Sequence, residues 1–285
     1  MSTSTVDDKL WAMVAAVKEK GPLVQCITNF VSMDIMANGL LAAGASPAMI
    51  HSTDELRDAV PIVGAVGGAM SINIGTLDDR WIQSFKEAVQ LCKEHNVPWV
   101  LDPVAAGFTT LRTDTAVHLL DIHPPAVIRG NGSEIKALTA ATLGDACEGG
   151  KGVDSTQASD AALEPAKALA KKYSCVVCVS GAVDYIVGQD GTVGTCPHGV
   201  EMLTKVTAAG CLLSSLIAAF IAVRPGGVSI HEAATLCFTF YGLSAEVAAK
   251  HSNGPGSFRV QLLDALYHIK DSGSCGIPVK SVLQA

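Results

Sequence analysis

Residues 126–139 read Ala126-Val-Ile-Arg129-Gly-Asn131-Gly-Ser-Glu134-Ile-Lys-Ala-Leu-Thr139. A short apolar run leads into a polar, glycine-bearing turn and then into apolar residues at helical spacing. This predicts a strand over Ala126–Arg129 and a helix over Ser133–Thr139. The same unit recurs along the chain. Further strands are predicted at Leu23–Ile27, Pro47–Ile50, Met70–Ile74, Pro98–Leu101, Cys175–Ser180 and Tyr185–Val187. Helices are predicted between them at Ser32–Ala43, Asp54–Val66, Arg80–Glu94, Asp114–Asp121 and Asp160–Lys172, and the last third is helical at Gly210–Val223, Ser229–His251 and Arg259–His268. Such alternation predicts an α/β fold, a mostly parallel central sheet flanked by helices on both faces. No linker, repeat or low-complexity stretch divides the chain, so one domain over residues 1–285 is expected, with 144–159 irregular.

Composition bounds the function. Of 285 residues, 49% are hydrophobic and only 16% charged, and the mean hydropathy is +0.35, which promises a large core. The least polar stretch of the last third, Cys211–Val223, is too short to span a bilayer, and no secretory signal is visible at the start. The net charge of −7, with no basic run longer than Lys171-Lys172, argues against a nucleic-acid partner. Nine cysteines, an odd number, fit reduced thiols in a cytoplasmic setting. Cys175 and Cys178 are spaced like a metal or redox pair but sit within one strand, where positions three apart face opposite ways, so both are expected in cores.

In open parallel sheets, ligands gather at the carboxyl ends of the strands. Several residues there can carry chemistry. Thr207-Ala-Ala-Gly210 precedes Cys211 at a helix start, where small residues let backbone N–H groups approach an anion. Cys211 is expected to have a lowered pKa there, as a base or nucleophile. Arg129, Asn131 and Glu134 put a cation, an amide and a carboxylate on one tip. Asn131 and Glu134 suit either a Mg²⁺-bound water shell or a capping box. Asp102 ends an apolar strand before Pro103 and serves either a cation or a turn. Asn29 follows one more strand and Met49 lies near the end of another, and their amide and thioether groups suit a small, partly aromatic ligand. No Walker A sequence, dinucleotide fingerprint or zinc motif is present.

These residues resemble the hydroxyethylthiazole kinases of thiamine biosynthesis and salvage, within the ribokinase-like superfamily. The resemblance runs through Pro22–Asn29, Gly44–Met49, Asn73–Thr76, Trp99–Pro103, Ile128–Ile135, Gly152–Ser155, Val179–Asp184, Ala209–Cys211 and Asn253–Ser257, in order and at matching spacing. It implies a ribokinase-like fold and ATP-dependent phosphorylation of the thiazole's primary alcohol. It also implies that Met49, Asn29 and Ala208 contact the thiazole alcohol, and that Arg129, Ser180, Asn131, Ala209 and Gly210 bind ATP. Glu134 and Asp102 would hold Mg²⁺. Cys211 stands where most of the superfamily carries an aspartate base, and it would orient the alcohol and take its proton late.

Ala208 replaces a glycine common in the family. It is expected to act only through its backbone N–H and so to be harmless. Ser180 replaces a threonine and keeps the hydroxyl. The β-lid insertion of the sugar kinases is missing between Met49 and Asn73, and the resemblance implies a homotrimer that completes each site at subunit interfaces. The rivals are a kinase for another heteroaromatic alcohol such as hydroxymethylpyrimidine, a cysteine hydrolase pairing Cys211 with His198, and a non-catalytic binder of thiamine precursors.

Overall fold

The computed structural model describes residues 5–144 and 159–283. The predicted irregular segment and the block Gly152–Ser155 therefore lie almost wholly outside the described residues. Eight strands form one sheet: β1 (Leu23–Ile27), β2 (Ser46–Ala48), β3 (Ala69–Asn73), β4 (Trp99–Asp102), β5 (Val127–Asn131), β6 (Val176–Ser180), β7 (Asp184–Val187) and β8 (Val193–Cys196). Their spatial order is β2-β1-β3-β4-β5-β6-β7-β8. The first six run parallel, and β7 and β8 add antiparallel at one edge.

Each central strand is buried on both sides, so successive side chains enter different cores. In β4, Val100 enters one core while Trp99 and Leu101 enter the other. One core packs under helices α1 (Val6–Lys20), α2 (Met33–Ala43), α8 (Ala209–Val223), α9 (Ile230–Lys250) and α10 (Pro255–His268). The other packs under α3 (Thr53–Ala65), α4 (Asp79–His95), α5 (Thr110–Ile122), α6 (Gly132–Leu143) and α7 (Leu163–Tyr173), while α11 (Ser272–Cys275) is a single late turn. Cys175 and Cys178 divide as their spacing predicts, one into each core, with thiols that burial pushes up to about 12 for Cys175 and further for Cys178. No helix among the described residues is long and apolar enough to cross a membrane.

Besides the short turn α11, two elements were not anticipated. Helix α1 is capped by Thr5, whose side chain accepts from Asp8 N–H, and it buries Leu10, Met13, Val14 and Val17 on one stripe. Strand β8 is only four residues long, and it gains its place by covering β7 and by pairing outward with Val282. Between β2 and β3 the chain passes only through α3, as expected of a fold without a β-lid.

Candidate active site

Strand register brings the polar tips together. Asn73 lies opposite Asp102 at the ends of β3 and β4, and Asn131 lies opposite Ser180 at the ends of β5 and β6. Asn29 and Met49 follow β1 and β2, and α8 starts just before Cys211.

The β5–β6 side is built around Arg129. Its Nε and Nη2 both donate to Ser180 Oγ, at 3.0 and 2.7 Å. A Cβ on Gly210 would lie 2.6 Å from Arg129 Nη1, so the guanidinium rests directly on the first turn of α8. No carboxylate pairs with Arg129 among the described residues. An unpaired, half-buried cation beside the positive end of a helix is an arrangement that an anion completes. A cleft of about 630 Å³ opens here, lined by Arg129, Ser180, Asp184, Gly210, Leu213 and Phe238 among others. Asp184, whose role the sequence did not reveal, accepts from Gly181 N–H at 3.0 Å and so shapes the turn after Ser180. Burial raises its carboxyl to about 7, against the pull of that hydrogen bond and of Arg129.

The α8 turn corrects the expectation for Ala208. This residue is the N-cap, at φ 63° and ψ 12°. The glycine it replaces is thus one that serves a left-handed backbone, and the alanine costs about 1–2 kcal/mol of strain. Around it the turn is braced: Tyr241 Oη, buried on α9, donates to Ala209 O at 2.8 Å.

A second correction concerns Cys211. Its thiol is pushed up to about 11, first by burial and then by the Asp102 charge; hydrogen bonds from Asn73 and Asn29, and the pull of Arg129, offset only part of this. The helix-terminus effect falls short because desolvation is the larger force on a thiol this enclosed. The sulfur sits at the end of a polar chain. Asn29 Nδ2 donates to Asn73 Oδ1 at 2.8 Å and approaches Cys211 Sγ at 3.7 Å. Asn73 Nδ2 donates to Asp102 Oδ2 at 2.8 Å, which also accepts from Ser214 Oγ at 2.9 Å. The amides have only one workable orientation: a carboxylate can only accept, and Asn29 Oδ1 is taken by the N–H groups of Val31 and Ser32. Asn73 and Ser214 were not anticipated as site residues. Asn73 sat in a quoted block at a strand tip, a usable signal, whereas nothing in sequence distinguishes Ser214 from its apolar helix.

The capping-box reading of Asn131 and Glu134 is realised. Asn131 Oδ1 accepts from Glu134 N–H at 2.9 Å, and Glu134 Oε2 accepts from Asn131 N–H at 2.8 Å. Glu134 Oε1 also accepts from Ala105 N–H at 2.8 Å, holding a loop in which Ala105 has φ 59°. Asp102 is buried and raised to about 6, chiefly by desolvation and against the pull of Arg129, with Glu134 adding to the rise. No group of three His, Cys, Asp or Glu converges as a ligand set among the described residues. With their oxygens largely engaged, Asp102 and Glu134 fit a Mg²⁺ that keeps its own waters and is held mainly by phosphates. Met49 is half-buried at the tip of β2, beyond Asn29, and hydrogen-bonds to none of these groups.

The hydrolase rival loses its base. His198 Nδ1 meets Glu246 Oε1 at 2.9 Å and Nε2 accepts from Lys280 N–H at 2.9 Å, so neither ring nitrogen serves Cys211.

Comparison with known proteins places the chain in a family. The family model described as "Hydroxyethylthiazole kinase family" matches residues 14–272. A hydroxyethylthiazole kinase of Zea mays is 46% identical, over 92% of this chain and 89% of its own length. One of Arabidopsis thaliana is 42% identical, over 92% and 91%. The solved structure of a hydroxyethylthiazole kinase protein from Pyrococcus horikoshii superposes with a TM-score of 0.83 at 34% identity, covering 97% of this chain and 99% of that one. A ribokinase-like sheet, an anion-ready turn at α8 and matches over nearly the whole length lead to one conclusion: the chain belongs to the hydroxyethylthiazole kinase family.

Proposed function

We propose that this chain, as one kinase domain, transfers the γ-phosphoryl group of ATP to the primary alcohol of hydroxyethylthiazole. The observation that carries this reading is Arg129, laid without a carboxylate partner among the described residues against Gly210 at the start of α8, one residue from a thiol facing the substrate end. Arg129, Ser180 and the backbone of Ala209 and Gly210 bind the phosphates. Asn29, Met49 and the Ala208 turn shape the alcohol's side. Asp102, Glu134 and Asn131 hold the water shell of Mg²⁺, which when bound neutralises phosphate charge.

Phosphoryl transfer passes through a loose transition state, so positioning matters more than early deprotonation. Asn29 directs an N–H at Cys211 Sγ, which holds the sulfur in place and favours its thiolate form. Cys211 orients the hydroxyl, and its thiolate form takes the proton late, as the new P–O bond makes that hydroxyl acidic.

We further infer a homotrimer that closes each site. Phe30 and Phe108 are 64% and 83% exposed and lie just after the tips of β1 and β4, where a neighbouring subunit would cover them. ADP release, measured with ATP·Mg²⁺ and a panel of thiazole and pyrimidine alcohols, tests the reaction. The thiazole alcohol is expected to be the best acceptor; release with a pyrimidine alcohol alone would reassign the substrate, and release with none would remove the kinase reading. Light scattering under the same conditions is expected to give three subunits, and a monomer would refute the trimer.

A further inference from the structure

We propose that His198 is a positioning residue for the nucleotide, clamping one wall of the ATP cleft between α9 and the C-terminal segment. The inference rests on reading that cleft as the nucleotide site. After β8 the chain runs through His198 and Gly199 to Val200, Leu203 and Thr204, which line the cleft opposite Arg129 and Ser180. This stretch has no strand partner to hold it and depends on other anchors.

Three anchors meet at one residue. First, the backbone of His198 crosses α9 in direct contact at Gly242, where a Cβ would lie 2.6 Å from His198 Cβ and 2.7 Å from its carbonyl carbon and oxygen. Only glycine permits that approach. Second, Glu246, one turn further along α9, accepts with a single oxygen from both the His198 ring at 2.9 Å and Gly199 N–H at 3.1 Å. Third, Lys280 N–H donates to His198 Nε2 at 2.9 Å. The C-terminal segment is held alongside by Thr239 Oγ1 on Ser281 Oγ at 2.6 Å and by paired backbone bonds between Thr195 and Val282.

The chemistry assigns the ring's state. A backbone N–H can only donate, so Nε2 is bare and Nδ1 carries the proton, which it gives to Glu246. The side chain is 1% exposed, and both nitrogens are used in full. His198 therefore ties three separate pieces of chain together: the cleft wall, α9 and the C-terminal segment. Losing either bond frees the wall without touching Cys211 or Asn29, so nucleotide affinity should change while the alcohol end does not.

Steady-state kinetics with each substrate varied, calorimetric titration with ADP·Mg²⁺ and hydrogen exchange of residues 276–283 test this on the full chain. His198→Asn, which keeps the donor to Glu246 and loses the acceptor for Lys280, is expected to raise KM for ATP about tenfold. It should leave kcat and KM for the alcohol within about twofold and speed exchange at Lys280 and Val282. Lys280→Pro deletes the same backbone donor at a residue whose side chain is exposed, and is expected to reproduce the rise in KM for ATP and the faster exchange at Val282 even if the histidine variant folds poorly. Glu246→Ala should match them, and Glu246→Gln, which still offers an oxygen to both donors, should restore KM for ATP. An unchanged KM for ATP in the folded variants overturns the positioning role, as does an equal change in both KM values. Failure of the wild-type protein to bind ADP·Mg²⁺ would instead overturn the reading of the cleft.

Discussion

The thiol of Cys211 makes the sharpest demand on the mechanism. With burial and Asp102 holding its pKa at about 11, only about one molecule in 10⁴ carries a thiolate at pH 7 and one in 10² at pH 9. The sign follows directly: a raised thiol pKa places the competent form on the alkaline side. If the thiolate takes the alcohol's proton, turnover at saturating ATP·Mg²⁺ and alcohol rises about tenfold per pH unit, roughly a hundredfold from pH 7 to pH 9. Cys211→Asp replaces the sulfur with a group of far lower intrinsic pKa. Its profile should be nearly flat over the same range, with turnover at pH 7 equal to or above that of the wild type, while Cys211→Ala should lose severalfold or more. The assay is ADP release across buffers of matched ionic strength. A wild-type profile flat within about twofold refutes the proton transfer, and full activity in the alanine variant removes the sulfur from the mechanism altogether.

Two further variants probe the phosphate end. Arg129→Ala should raise KM for ATP about tenfold or more, the loss expected of charged hydrogen bonds; because Arg129 makes no ion pair among the described residues, the melting temperature should shift little, and an unchanged KM would count against the phosphate role. Ala208→Val places a β-branched residue at φ 63° and should cost about 2 kcal/mol, lowering the melting temperature by about 2–4 °C in calorimetry. Ala208→Gly should not lower it, and a drop there would contradict the strain assigned to this position.

Much of this is legible in the sequence. Strand β1 spans the residues its apolar run predicts, and the strand tips at Asn29, Asp102, Asn131 and Ser180 gather because parallel strands deliver their carboxyl ends to one edge. Helix α1 was missed although its signals were plain, a capping threonine and apolar residues at 10, 13, 14 and 17. Strand β8 was a harder case: Val193-Gly-Thr-Cys196 is short and interrupted by a glycine, and its pairing with β7 and Val282 is a tertiary effect. The chain from Cys211 through Asn29 and Asn73 to Asp102 depends on register, which a linear reading does not contain. Depth decided the two reversals. A helix start suggested a low thiol pKa, but the enclosure that raises it is a property of packing, and the left-handed turn at Ala208 is fixed by how α8 meets the sheet.

The brace from Tyr241 to Ala209 O has a consequence for how the site takes its ligand. The turn proposed to meet the phosphates is already in its strained conformation at Ala208 and already pinned at its first helical carbonyl. A ligand arriving there orders little backbone, so association loses little to conformational entropy. The strain is a feature of the folded protein and is present with or without a nucleotide, so it lowers stability and is not added on binding. The cost falls on stability, at the single position 208.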